Sequence, residues 1–269
     1  MNKFELADMI KKSKPVNRES FICDRCRGKV VLDLGCIRHT AEFALKDENW
    51  LHKRIKAVAK KVVGLDYLPG EIAKLNSHGY DLVFGDVTKP LDIAEEFDVI
   101  VAGDLLEHLV NFEGFFSNCE RLLKPEGILI VTTPNPFFCG EFHYVSFNKN
   151  FIVNPEHTCW IDPQCLSQLS GRLGFRIEEL AYIKNTWLLR RHICETSRHY
   201  YDTIANKWEN NTTVFKIKRS IVGNLFGPLY FFYRIFTGAA SKLCRYSDYL
   251  AVLKKERPET ADVRLGGDK

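Results

Sequence analysis

Short apolar runs alternate with amphipathic stretches along the first half of the chain, and most of these runs end in an acid. The runs are Val30-Val-Leu-Asp-Leu-Gly-Cys36, Val62-Val-Gly-Leu-Asp66, Asp81-Leu-Val-Phe-Gly-Asp86 and Phe97-Asp-Val-Ile-Val-Ala-Gly-Asp104. Continuous apolar runs between helical patterns are typical of parallel strands buried on both faces. We therefore predict an α/β fold whose acids lie at the carboxyl edge of a parallel sheet, where open sheets bind ligands.

The pattern predicts seven strands and five intervening helices. The strands are 29–34, 61–66, 80–85, 98–102, 128–133, 175–183 and 249–254, and the helices are 40–45, 50–59, 69–78, 112–123 and 163–173. The roughly sixty residues between the last two strands exceed a hairpin loop, so we predict a helical insertion at about 186–246. We predict one domain over 1–255 and a disordered polar tail over 256–269.

Composition narrows the function classes. Of the 269 residues, 45% are hydrophobic, which is enough for a full core, and the net charge of +4 is too small to indicate nucleic acid. The first fourteen residues are charged and amphipathic, unlike a signal peptide, and nine scattered cysteines indicate reduced thiols in the cytoplasm. The single Cys23-Asp-Arg-Cys26 pair lacks the second pair of a structural zinc site, so ordinary thiols are favoured.

Together, the strand-end motifs resemble those of class I S-adenosylmethionine (SAM)-dependent methyltransferases, over about 30–175 and the last strand. The resemblance implies a Rossmann-like, mostly parallel sheet with an antiparallel last strand, SAM as cofactor and S-adenosylhomocysteine (SAH) as product. It implies that Asp66 holds the ribose hydroxyls and that the first motif lies beside the methionine part. The other implied cofactor contacts are Asp33, Gly35, Cys36, His39, Tyr67, Asp86, Val87, Ala102 and Gly103.

One departure from the family pattern changes the picture. The family usually has two further glycines where this chain has Ile37 and His39. A dinucleotide site needs those glycines for a pyrophosphate, which SAM lacks, so their loss argues against NAD. His39 either contacts the cofactor carboxylate or caps the next helix. The extra segment Asn49-Trp-Leu-His52 resembles a subgroup associated with bacterial cell-surface polysaccharide synthesis.

Methyl transfer to a hydroxyl requires alignment and a base. His108 is the first candidate base, with Asp104 one turn before it if 105–109 is a helix. His157, on the loop after the fifth strand, is the second candidate. Packing, capping or solvation are the alternatives for both histidines. Asp104, Glu107 and His108 resemble a metal-binding set of ubiquinone-pathway O-methyltransferases, but the first acid is Asp rather than Glu, and we predict no metal.

The acceptor and the partners are less constrained. Aromatic residues over 137–160 form either a lid that stacks on a sugar or a small core of the loop itself. The basic, aromatic-rich stretch 214–240 either contacts a membrane surface at the inner face or packs on the domain or on a partner subunit, as in a homodimer. We predict O-methylation of a sugar or glycan. The alternatives are a small-molecule or quinone-type O-methyltransferase and a non-catalytic scaffold subunit.

Overall fold

Buried β-branched and leucine residues build the central sheet, because strands covered on both faces need apolar side chains on both sides. The computed structural model describes residues 3–138, 154–184 and 246–256, and its strands in chain order are β1 Pro15–Val16, β2 Val30–Leu34, β3 Lys61–Asp66, β4 Leu82–Phe84, β5 Phe97–Gly103, β6 Leu123–Pro134, β7 Phe175–Ile183 and β8 Asp248–Lys255. They form one sheet in the order β1-β7-β8-β6-β5-β2-β3-β4.

Strand β8 runs antiparallel to both of its neighbours, β6 and β7, whereas every other described pair is parallel. The predicted mostly parallel sheet with an antiparallel last strand is therefore confirmed. The described residues add an eighth strand to the seven predicted ones. This strand, β1, has two residues, which pair with Tyr182 and Ile183 of β7.

The described part of the chain contains seven α-helices, most of which lie in the connections between strands. They are α1 Lys3–Lys12, α2 Arg18–Cys26, α3 Ala41–Lys46, α4 Leu51–Lys56, α5 Pro69–Ser77, α6 Phe112–Leu122 and α7 Pro163–Arg172. The predicted helix 50–59 is shorter than expected, and the predicted strand 128–133 is longer. No helix within the described ranges is both long enough and apolar enough to cross a membrane.

Helix α2 was not predicted. The Asn17 side chain caps it by accepting the Ser20 N–H at 2.8 Å, and Phe21 and Ile22 pack into the core against β2, β5 and β6. Cys26 is fully buried on this helix, one turn after Cys23, and burial raises the pKa of the Cys26 thiol far above its ordinary value. A thiol in that environment packs as a small apolar side chain.

A second apolar cluster lies around the loop that follows β2. It contains Cys36 and Ile37 from the loop, Ala41 and Ala44 from α3, and Trp50, which precedes α4. The cluster packs the loop against neighbouring helices, and this packing fixes the backbone at the carboxyl edge of the sheet.

Several predictions lie outside the described residues. They are the helical insertion at about 186–246, apart from Tyr246, the membrane or partner contact at 214–240 and, apart from Glu256, the disordered tail at 256–269. The same holds for residues 139–153 of the aromatic loop. These predictions, and the single domain over 1–255, stay predictions.

Candidate functional site

The carboxyl ends of neighbouring strands place the predicted acids along one edge of the sheet. Asp33 of β2 is in register with Gly64 of β3, and Asp66 ends β3 in register with Phe84 of β4. Asp86 follows two residues after β4. Burial raises the pKa of the Asp66 carboxyl, and the charge of Asp33 raises it further.

The Asp66 carboxylate holds the loop after β2. One of its oxygens, Oδ2, accepts the Ile37 N–H at 2.9 Å, and the other, Oδ1, accepts the Tyr67 N–H at 2.8 Å. Gly35 begins the loop with φ of +65°, and a Cβ there would lie 3.0 Å from the Leu105 side chain. Glycine is therefore needed at this turn both for conformation and for space.

His39 is exposed and has φ of +61°. The capping alternative for His39 is wrong, because Thr40 is the N-cap of α3 and its Oγ1 accepts the Phe43 N–H at 3.2 Å. The His39 ring instead meets the Phe43 ring edge-on, with centroids 5.9 Å apart.

Asp33 and Cys36 each form a hydrogen bond with a residue outside the loop. Asp33 is 3% exposed, and its Oδ2 lies 2.9 Å from Nδ1 of His52, which is fully buried. Trp50 donates its indole N–H to the Cys36 carbonyl at 2.7 Å. Sequence reasoning placed Asp33 at the cofactor but did not predict either partner.

On the β4 side of the edge, two aromatic side chains are open to solvent, Tyr67 at 69% exposure and Phe84 at 65%. The Asp86 carboxylate accepts hydrogen bonds from the Thr88 hydroxyl and backbone N–H, which lower its pKa. The next residue, Val87, is buried, and its carbonyl accepts from Asn118 at 2.9 Å. This part of the edge therefore combines an ionised acid with exposed aromatic faces.

Arg18 is a charged residue at the edge that sequence reasoning missed. It begins helix α2, and its Nη2 lies 2.9 Å from Asp104 Oδ2 and 3.1 Å from the Thr132 hydroxyl. A Cβ on Gly103 would lie 2.6 Å from the same Nη2, so the glycine leaves room for the guanidinium. No described residue accepts a hydrogen bond from the buried Arg18 Nε. The neighbouring Ala102 is fully buried.

The condition for placing Asp104 one turn before His108, an α-helix over 105–109, is not met. Asp104 has φ of +52°, and a single 3₁₀ turn, Leu106–His108, follows it. The Asp104 carboxylate instead pairs with Arg18 and accepts the Thr132 hydroxyl at 2.7 Å. Asp104 is therefore engaged away from His108, and its predicted place beside the base is corrected.

The structure brings Glu107, His108 and His157 together instead. One ligand atom from each lies within 4.8 Å of the others, and the two imidazole rings meet edge-on with centroids 4.9 Å apart. The backbone of the 154–161 segment is fixed to the 3₁₀ turn, because the Thr158 N–H donates to the Glu107 carbonyl at 2.8 Å. Two imidazoles and a carboxyl can exchange protons or can hold a divalent metal.

The contacts within this cluster distinguish its members. His108 Nδ1 lies 3.2 Å from the Glu156 carbonyl oxygen, so Nδ1 carries the hydrogen and Nε2 keeps its lone pair. The Glu107 carboxyl is 2% exposed and accepts the Thr133 hydroxyl at 2.9 Å. Burial raises the pKa of Glu107 to about 8, and the charge of Asp104 adds to this.

Residues 11–180 match a protein-family model described as "Methyltransferase domain", which is more than half of the chain. The chain belongs to the class I SAM-dependent methyltransferase family. The match covers every residue of the carboxyl edge described above, including Arg18 and the cluster of Glu107, His108 and His157.

Curated relatives and solved structures are similar to this methyltransferase. It is 30% identical over 161 residues to a protein from Mycolicibacterium smegmatis named as a SAM-dependent methyltransferase, an alignment that covers 59% of this chain and 56% of that one. It is 26% identical over 166 residues to the ubiquinone biosynthesis O-methyltransferase of Azorhizobium caulinodans, covering 58% and 62%. The chain thus spans less than two thirds of these relatives' lengths.

The fold is also similar to solved methyltransferase structures. A structure from Bacillus halodurans titled as a methyltransferase has a TM-score of 0.53 at 15% identity, and covers 89% of this chain and 98% of that one. Coclaurine N-methyltransferase, solved with N-methylheliamine and SAH, has a TM-score of 0.51 at 14% identity, covering 88% and 71%. At these identities the likeness shows the fold.

Proposed function

We propose that this methyltransferase transfers the methyl group of SAM to a hydroxyl oxygen of a sugar-containing acceptor. The observation that carries the proposal is the position of two different groups at one sheet edge. Asp33, Asp66 and Asp86 lie on the β2–β4 side, and the cluster of Glu107, His108 and His157 lies at the end of β5 and β6. A cofactor and an acceptor can therefore meet across the same edge.

The residues present fit the parts of SAM. The Asp66 oxygens accept the Ile37 and Tyr67 N–H groups, and a carboxylate has further lone pairs that can accept a ribose hydroxyl. The buried Nε–H of Arg18 suits the carboxylate of the amino-acid part, and Asp33 suits its ammonium. Tyr67 offers an exposed ring to the adenine, and Asp86 accepts from its amino group.

The chemistry required of the protein is modest. SAM supplies a methyl group already activated on a sulfonium, so alignment and removal of one proton remain. His108 is the proposed base because its Nδ1–H donates to a carbonyl and leaves Nε2 free to accept a proton. Glu107, whose pKa is raised to about 8, is mostly protonated at neutral pH and is less suited to that role. His157 lies against the His108 ring and is the second proposed base.

Two observations bear on the acceptor. Trp160 is 44% exposed and its ring lies 6.3 Å from that of His157, which offers a stacking face for a sugar beside the proposed bases. The second candidate is a phenolic or quinone-type acceptor, supported by the similarity to the Azorhizobium caulinodans enzyme.

Calorimetric titration with SAH tests the cofactor part first. Asp66→Asn is expected to weaken SAH binding at least tenfold, and the exposed Asp81→Asn, just before β4, serves as the matched control.

Transfer of labelled methyl from SAM to sugar-containing and phenolic acceptors, in the presence and absence of EDTA, tests the rest. His108→Ala is expected to lower kcat by about 10²–10⁴-fold with unchanged SAH affinity, while the surface variant His78→Ala keeps full activity. Full activity of both His108→Ala and His157→Ala would refute the proposed bases. No binding of millimolar SAH would favour the scaffold alternative, and loss of activity in EDTA would favour a metal in the cluster.

A further inference from the structure

The segment Trp50-Leu-His52, which lengthens the connection between β2 and β3, reaches back to the first-motif loop at two points. His52 Nδ1 lies 2.9 Å from Asp33 Oδ2, and the Trp50 indole N–H donates to the Cys36 carbonyl at 2.7 Å. Both side chains are almost entirely removed from solvent, at 0% and 2% exposure. The segment therefore braces the turn that runs from Asp33 to Cys36.

The loop that is braced has few glycines of its own. Ile37 and His39 occupy positions where the family usually has glycine, and His39 takes φ of +61°, a conformation that costs a non-glycine residue about 1 kcal/mol. The Ile37 N–H is fixed by Asp66. A loop with less freedom to adjust to a ligand must be held in its binding shape by surrounding groups.

We propose that His52 is a positioning residue for the amino-acid part of the cofactor, and this rests on the function proposed above. The imidazole donates its Nδ1–H to Asp33 Oδ2 and leaves Oδ1 for the cofactor ammonium. The buried hydrogen bond fixes the direction of the carboxylate before the ligand arrives.

A purely structural role does not account for a histidine at this place. The ring packs against the rings of Trp50 and Tyr80, with centroid distances of 5.3 and 5.9 Å, and these contacts do not require a polar side chain. No described residue hydrogen-bonds the buried Nε2 of His52. An unsatisfied buried polar atom is destabilising, so the imidazole is explained by what its other nitrogen does for Asp33.

Two amide substitutions of His52 distinguish the roles of its two ring nitrogens. The amide nitrogen of Asn can take the place of Nδ1, whereas the longer Gln places its amide at the position of Nε2. His52→Asn therefore keeps a donor to Asp33, and His52→Gln removes it. Ile55→Val, on the same helix and fully buried, is the matched control for a small loss of stability without contact to Asp33.

The measurement is calorimetric titration with SAH and with 5′-methylthioadenosine, which shares the adenine, ribose and sulfur but lacks the amino-acid part. His52→Gln is expected to weaken SAH binding about tenfold and to change 5′-methylthioadenosine binding less than twofold. His52→Asn and Ile55→Val are expected to retain the wild-type ratio of the two affinities.

The outcomes separate this role from the proposed function. If the wild type binds SAH and His52→Gln weakens both ligands equally, or weakens neither, the positioning role is overturned and the proposed function stands. If the wild type binds neither ligand, both are overturned. Should His52→Gln fail to fold, His52→Asn still tests the role, because a variant that keeps the donor to Asp33 and yet weakens SAH selectively would overturn it.

Discussion

Replacement of Gly64 by alanine tests how tightly the edge is packed beneath the first-motif loop. Gly64 lies in β3 between Asp33 of β2 and Leu82 of β4. A Cβ at this position would lie 2.6 Å from Cys36 Sγ and 2.9 Å from both His52 Cε1 and Leu82 Cγ. All three distances are below any normal Cβ contact, so all three side chains must move.

The magnitude follows from what these side chains do. Cys36, His52 and Leu82 are each less than 9% exposed, so none can shift into solvent. Overpacking of this kind costs about 1–3 kcal/mol, and displacement of His52 also weakens its bond to Asp33, which adds about 1 kcal/mol. Alanine is favoured over glycine in a strand by about 0.5–1 kcal/mol, which offsets part of this. We expect a net loss of about 2–3 kcal/mol in the free energy of unfolding.

Urea unfolding followed by circular dichroism measures this loss, with Gly70→Ala as the matched control. Gly70 lies in helix α5, and a Cβ there would meet nothing within 4 Å. Alanine should therefore stabilise the protein by about 0.5–1 kcal/mol at this position. The double variant Gly64→Ala/Cys36→Ala should recover part of the loss, because it removes the closest contact. A Gly64→Ala variant within 0.5 kcal/mol of the wild type would refute the packing argument.

Three further predictions concern charge and backbone conformation. Because the pKa of Glu107 is raised from 4.5 to about 8, the folded state retains a proton that the unfolded state releases, so stability falls as pH rises through that window. Glu107→Gln should remove a fall on the order of 2–4 kcal/mol in urea unfolding between pH 5 and pH 8 in EDTA, and an unchanged profile would contradict the assignment. Arg18→Ala removes a partly exposed ion pair with Asp104 and should lower the free energy of unfolding by about 1 kcal/mol. Arg18→Lys should restore the stability but not the affinity for SAH. Equal SAH affinity of the wild type and both variants would exclude Arg18 from the site. His39→Gly should raise stability by about 0.5–1 kcal/mol, and a decrease in the urea midpoint would show that φ of +61° is not strained.

Much of the sheet could be predicted because its strands are buried on both faces. The predicted bounds 61–66 and 175–183 coincide with β3 and β7, since β3 is an apolar run that ends at Asp66 and β7 begins directly after Gly174, which has a positive φ. The segment 15–26 was missed. Strand β1 is too short to show a period, and charged residues interrupt the apolar positions of α2, whose burial depends on the sheet beneath it.

The site, like the fold, contains residues that the sequence predicts and residues that it does not. Acids at strand ends could be predicted, because a parallel sheet brings those ends to one edge. The partners of the acids could not, since Arg18 comes from the helix that was missed and His52 from a connection without a pattern. Asp104 was misplaced because the helical spacing assumed for 105–109 ignored its left-handed backbone. His157 meets His108 through a contact 49 residues apart, which no local pattern encodes.

These partners together explain how one edge can hold so many acids. Arg18 offsets the charge of Asp104, and Glu107 is mostly protonated at neutral pH, so the end of β5 carries little net negative charge. Asp66 is held by backbone N–H groups, which carry no full positive charge, and Asp33 lies against the buried His52 ring. The negative charge is therefore concentrated at the ends of β2 and β3. A ligand that carries an ammonium and a sulfonium relieves the repulsion between these two acids, and a neutral nucleoside does not.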